Sequence, residues 1–286
     1  MTQDGELQNP GAMEQTKQYQ PQQFWESAHS RVPTEDVRAG LGVRNVGGGR
    51  SSREAAAFYR ARKINMGRLL KKVGLPTHPK IFEMGSGGGY WVNFFTAFQP
   101  SIFIGSDISS TAILRLGKAF PNYLFYCLEN QTSWRSIEEK APFDLCLAID
   151  VLYHITNDEI WAENLSRLCN LCGAGGYLII ADYFYPQPTE QPSRIHVKFR
   201  TMQSYLEVFD RHNFNVEAIQ PIFYFLNRIV GGPWKDQNRL TSALLRLLFG
   251  NRFGLGMVGR LDTLITGIAR PMDPRCKTRF LLARKI

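Results

Sequence analysis

The chain has 286 residues, 44% of them hydrophobic, and 34 lysines and arginines stand against 25 acidic residues for a net charge of +9. That is room for one α/β domain with additions or for two small domains, and a hydrophobic share of this size excludes a wholly disordered chain. No apolar run approaches the length that spans a bilayer, so a soluble, cytoplasmic protein is the expectation, and the basic balance favours acidic partners.

Residues 1–23 are rich in glutamine and poor in aliphatic side chains, so they cannot offset their own ordering entropy and are expected to form a mobile tail. Residues 24–79 are read as an N-terminal helical cap. Within it Ser51 and Glu54 form a capping box, which predicts a helix ending at Gly74 with Phe58, Ala61, Met66, Leu69, Leu70 and Val73 near one face. Trp25, Tyr59 and Arg60 of this cap are candidates to close over a ligand, although plain helix packing explains them as well.

From residue 80 onward short apolar runs alternate with helical patterns. The runs at 80–85, 101–107, 123–129, 143–150 and 176–184 read as strands. The segments between them, 90–99, 109–120, 130–142 and 156–172, are long enough for crossover helices, so a doubly wound, mostly parallel sheet is predicted. Thr156 and Glu159 suggest a second capping box. A helix is expected over 201–213, a sixth strand over 214–225 and a last strand over 276–286. Residues 227–275 mix Leu and Ile with spaced Arg and predict amphipathic helices inserted before that last strand. A lid or packing role is preferred there to a dimer surface or a helix lying on an anionic membrane, and the oligomeric state is left open.

The five cysteines, Cys127, Cys146, Cys169, Cys172 and Cys276, are odd in number and mostly lie in apolar runs, which predicts free thiols. Cys169 and Cys172 have a metal-like spacing but no second pair, and no metal site is expected.

The stretch "IFEMGSGGG" places a glycine-rich turn after the first strand. In dinucleotide-binding folds a third glycine would stand at position 90, which here is Tyr90. Glu83, so close to the turn, would repel a pyrophosphate yet can accept hydrogen bonds from an ammonium group. Asp107 closes the second strand, where a carboxylate commonly holds both ribose hydroxyls, a feature that would also suit NAD. Glu129 and Asn130 end the third strand, where a polar pair can meet an adenine edge. Together these features describe an adenosine ligand with a cationic tail.

With "IFEMGSGGG", "GSDIS", "FDLCLAIDVLYHI" and "GGYLIIADYF" in order between residues 80 and 185, the chain resembles the class I S-adenosylmethionine-dependent methyltransferases of the small-molecule-modifying type. The resemblance implies a Rossmann-like sheet whose antiparallel last strand lies between the fifth and sixth. It also implies S-adenosylmethionine (SAM) as cofactor, contacted by Glu83, Gly85, Ser86, Gly87, Asp107, Ile108, Glu129, Asn130, Asp150 and Val151, with Gly88 and Gly89 allowing close backbone approach. The stretch "CNLCGAGGYLII" departs from the family's frequent Lys-Pro-Gly-Gly turn. Enzymes that methylate flipped bases carry two prolines after an Asn or Asp at the fourth strand; Asp150-Val151-Leu152-Tyr153 has neither, so no nucleic-acid partner is expected.

For the chemistry, His154 is the leading candidate for a general base and Asp182 for its orienting group or for the base itself. Tyr153, Tyr183 and Tyr185 are expected to wall an acceptor pocket, with His196 and Arg200 reaching over it. The expected reaction is methylation of a hydroxyl or carboxyl oxygen of a small or medium metabolite, and an acidic acceptor suits the charge. N- or C-methylation, or a tethered peptide or glycolipid acceptor, is the runner-up. An RNA methyltransferase and a non-catalytic SAM-binding subunit stand behind these.

Overall fold

In a computed structural model, residues 19–31, 52–129, 131–184, 189–190, 196–224, 252–273, 276 and 278–286 are described. Two helices, α1 (Pro21–Ser30) and α2 (Ser52–Leu70), precede the first strand. Proline suits the first turn of α1, because the N–H it lacks would have no helical partner there. The expected tail reached residue 23, but residues 19–23 lie in or just before α1. Tyr19 donates to the His154 carbonyl at 3.3 Å and Gln22 donates to Glu129 at 2.8 Å. Polar and aromatic ties hold this stretch, which has no aliphatic side chain to bury.

The strands are β1 (Lys80–Met84), β2 (Ile102–Asp107), β3 (Leu124–Cys127), β4 (Phe143–Ile149), β5 (Cys172–Tyr183), β6 (Thr189–Glu190), β7 (Lys198–Phe199), β8 (Phe214–Pro221) and β9 (Thr278–Lys285). Between them run α3 (Tyr90–Phe95), α4 (Ser110–Ala119), α5 (Gln131–Glu138), α6 (Asp158–Leu171), α7 (Met202–Arg211) and α8 (Arg252–Ile268). A short 3-10 turn, Leu152–His154, follows β4.

A seven-stranded sheet has the order β3-β2-β1-β4-β5-β9-β8. Neighbours from β3 through β5 are parallel, and β9 is antiparallel to both β5 and β8. The antiparallel last strand thus lies where the family resemblance implies. Strand order reverses between β1 and β4, so a crevice opens at their carboxyl ends, the usual ligand position in such sheets. Strands covered on both faces need apolar residues at nearly every position. Along β5, Ile179 and Ala181 join the α2 side of the core with Phe58, Met66 and Phe280, while Leu178 and Ile180 join the α6 and α7 side with Trp161, Leu165 and Phe209.

Two local features differ from expectation. Helix α6 is capped by Asn157, whose side chain accepts from the Ile160 N–H at 2.9 Å, and not by Thr156. Both residues compete for adjacent starts, and asparagine is the stronger cap. The small antiparallel pair β6–β7 has two residues per strand, too few to show an alternating pattern. Of the predicted insertion, α8 is described and packs along α2: Asn65 donates to the Thr266 hydroxyl at 3.1 Å and Arg68 to the Thr263 carbonyl at 2.6 Å. Residues 227–251, 274 and 275 of that insertion lie outside the described residues.

Candidate active site

The turn from β1 into α3 is built on left-handed glycines, with φ of 74° at Gly85, 51° at Gly87 and 79° at Gly89. Gly85 and Ser86 both donate their N–H to the Ser106 carbonyl of β2, at 2.7 and 2.8 Å. A Cβ on Gly85 would stand 2.2 Å from Val151 Cγ2, so the β1 turn and the β4 exit approach each other as only glycine allows. Asp107 fastens the other side: its carboxylate accepts from the Gly87 and Ser109 N–H groups, each at 2.9 Å.

Glu83 is buried at the end of β1 and accepts from the Ser86 hydroxyl at 2.9 Å. Desolvation pushes its carboxyl up to about 8; the Ser86 bond opposes this and the Asp107 charge adds to it. A cationic group placed beside it would restore the charged form.

Helix α1 lies across the carboxyl ends of the strands. Glu26 accepts from the Ser109 hydroxyl at 2.8 Å and from both the hydroxyl and the N–H of Thr111 at the start of α4. These bonds, that of the Thr111 hydroxyl foremost, hold its carboxyl below the usual range. At the tip of β3, Glu129 accepts from Gln22 and from the Cys127 thiol. Beyond β4, Trp25 meets the His154 ring edge-on with centroids 4.6 Å apart, and Phe24 stacks on His196 at 4.6 Å. One short helix therefore touches the ends of β2, β3 and β4.

From the other side α2 supplies Arg62, which forms an ion pair with Asp150, donating from Nη2 to Oδ1 at 2.9 Å. Its guanidinium lies over the rings of Phe58 and Phe223, and its buried Nε has no hydrogen-bond partner among the described residues. Asp150 itself takes a positive φ of 60° as the chain leaves β4. Tyr90, standing where a dinucleotide fold needs glycine, reaches back from α3: its hydroxyl donates to the Tyr59 carbonyl at 3.0 Å. Sequence reasoning named Arg60, which is exposed, and missed Arg62. The signal was present: Arg62 follows Phe58 by one helical turn, a cation on the apolar face of α2.

The remaining candidates divide. His154, His196, Tyr153 and Tyr183 come together: the His154 and His196 rings stack at 5.5 Å, Tyr153 lies 4.2 Å from His154, and Tyr153 and Tyr183 meet edge-on at 5.4 Å. His154 Nδ1 lies 2.9 Å from the His196 carbonyl. Asp182 stands apart from them. It is fully buried on the face of β5 shared by Ile180 and Phe184, accepting from the Tyr205 hydroxyl and from the Tyr183 N–H. Strand alternation turns it away from Tyr183 and the histidines, and burial lifts its carboxyl to about 7 against the opposing Tyr205 and Tyr183 bonds. Arg200 is likewise buried and engaged, donating to Asp158 at 2.8 Å and to the Ile155 carbonyl at 2.9 Å while its guanidinium lies over Trp161. It clasps the start of α6 instead of reaching over the crevice. Ile108 gives its carbonyl to the Cys127 thiol. Asn130 and Tyr185 lie outside the described residues.

A family model described as a methyltransferase domain matches residues 55–219, from α2 to β8. Sequence comparison finds no match among curated proteins. Among solved structures, the [4+2]-cyclase SpnF is 15% identical with a TM-score of 0.53, covering 93% of this chain and 96% of its own. The magnesium protoporphyrin IX methyltransferase of Synechocystis PCC 6803 with bound SAM is 12% identical with a TM-score of 0.51, covering 94% and 98%. A putative sarcosine dimethylglycine methyltransferase from Galdieria sulphuraria is 12% identical with a TM-score of 0.51, covering 93% and 98%. At these identities the likeness is one of fold. The matched domain, the glycine turn fenced by Glu83 and Asp107, and the sheet order together make the chain a member of the class I S-adenosylmethionine-dependent methyltransferases.

Proposed function

We propose that this enzyme methylates a hydroxyl oxygen of a small or medium planar metabolite, with His154 as general base. The observation that carries this reading is the contact of His154 Nδ1 with the His196 carbonyl. A carbonyl only accepts, so Nδ1 carries the proton and Nε2 is the basic nitrogen of the ring. Trp25, Tyr153 and His196 fix the ring's plane, and with Phe24 and Tyr183 they give an aromatic lining suited to a flat acceptor. The net charge of +9 favours one that carries an acidic group.

The residues present suit the cofactor. SAM, when bound, supplies a methyl group already activated on a sulfonium. Glu83 would hold its ammonium, Asp107 the ribose hydroxyls, and Arg62, with a buried Nε in want of an acceptor, the carboxylate. His154 would take the acceptor's proton at Nε2 as the oxygen attacks, while α1 excludes water from above.

Replacing Arg62 with methionine is expected to weaken SAM binding by roughly 10- to 100-fold, the worth of a charge-assisted hydrogen bond. The same change should lower the melting temperature, because Asp150 loses its ion-pair partner, and Arg62→Lys should restore part of both. Equilibrium dialysis and thermal denaturation on the three proteins check this.

A carboxylate acceptor is the second reading, favoured by the same charge, and it needs no base. An assay of S-adenosylhomocysteine release over phenols, hydroxy acids and carboxylates separates the two: turnover of phenols or alcohols that depends on His154 supports the first, and carboxylates turned over equally by His154→Ala support the second.

A further inference from the structure

The inner face of α8 is accounted for by α2 and β8, where Asp262 accepts from the Tyr224 N–H and Thr266 meets Asn65. Its outer face is not polar. Met257, Leu261, Leu264 and Ile268 recur every three or four residues along one stripe and are 50%, 47%, 66% and 87% exposed. Met272, just past the helix, is half exposed as well. On α2 the exposed Arg60 and Ile64, with the exposed Lys71 just past the helix end, run beside Arg68, the residue that holds α8.

Charge decides what this surface meets. Arg60, Lys71, Arg260 and Arg270 are exposed along it, while the acidic residues of α8 and the turn after it, Asp262 and Asp273, are buried. Among the described side chains of the two helices no acidic group is exposed. We propose that this face of α2 and α8 docks on an anionic lipid surface, the apolar stripe entering the headgroup boundary and the basic residues pairing with lipid phosphates. Large side chains on one helical face, flanked by arginine and lysine, are the pattern of a helix that lies in a membrane interface. Self-association is disfavoured by the same residues, because a twofold contact would set basic rim against basic rim. The inference does not depend on which oxygen is methylated.

Flotation of the full chain with vesicles tests it. Vesicles of equal parts phosphatidylcholine and phosphatidylglycerol should carry the protein upward, phosphatidylcholine alone should not, and molar salt should release it. The double substitution Leu264→Glu with Ile268→Glu, and separately Arg260→Glu with Arg270→Glu, should each lower the floated fraction about tenfold or more, with SAM binding retained as proof of fold. Absence of flotation with either vesicle overturns the proposal. Flotation undiminished in both double variants overturns its placement on α8. A dimer seen by sedimentation velocity that Leu264→Glu with Ile268→Glu dissolves, without lipid binding by the parent, assigns the stripe to self-contact and also overturns it.

Discussion

Replacing Gly85 with alanine is expected to weaken SAM binding by at least about 100-fold, the combined effect of a strained backbone and a filled approach. Gly85 has φ of 74°, a conformation that costs a residue with a Cβ on the order of 1–3 kcal/mol. In addition the new methyl would lie 2.2 Å from Val151 Cγ2, far inside contact distance, so either the turn or the β4 exit must shift. Both N–H groups that tie the turn to Ser106, and the Ser86 hydroxyl on Glu83, depend on that position. Adding Val151→Ala should recover part of the loss by removing the overlap while leaving the strain. Gly117→Ala, with nothing within 4 Å of its added methyl, should bind SAM as the parent does. Calorimetric titration of the four proteins checks the series.

His154→Ala is expected to lower turnover of a hydroxyl acceptor by about 100- to 10,000-fold, the usual worth of a positioned base, with SAM affinity close to that of the parent. Its ring meets Trp25, Tyr153 and His196 on the proposed acceptor side, whereas the proposed cofactor contacts come from β1, β2 and α2. Asp182→Asn should act differently. Tyr205 and the Tyr183 N–H already use its carboxylate, so the loss falls on stability before it falls on the chemical step. Steady-state rates with thermal melts separate the two variants.

Much of this site was legible along the chain because it is local in sequence. Glu83 and the glycines stand within one turn, Asp107 closes its own strand, and apolar runs spaced by helices dictate a parallel sheet whatever the details. What stayed hidden depends on meetings between distant segments. Arg62 and Asp150 are 88 residues apart, and Glu26 meets Thr111 across 85. Trp25 stands among the cap residues expected to close over a ligand, but nothing near it or Gln22 in sequence shows which strand ends α1 would cover, because its ties are polar and aromatic. Asp182 is a different case: period-two alternation on β5 already sets it on the face of Ile180 and Phe184, opposite Tyr183. Arg200 could not be placed the same way, since its partner Asp158 belongs to a helix start fixed only by the fold.

The pairing of a buried Glu83 with a cationic nucleoside underlies both the choice of ligand and the reading of the crevice. Burial holds its carboxyl at about 8, so near neutral pH it is mostly protonated before the ligand arrives and ionised once an ammonium group lies beside it. Near neutral pH binding should therefore release a proton, and affinity should rise as pH climbs toward 8 and fall above it, where the ligand's own α-amino group loses its proton. The direct measurement is calorimetric titration with SAM near neutral pH in two buffers of different ionisation enthalpy, repeated with Glu83→Gln. About one proton released per SAM bound, and none in the variant, is the expected result. SAM binding without proton release and unchanged by Glu83→Gln, or binding of NAD in its place, would contradict the account.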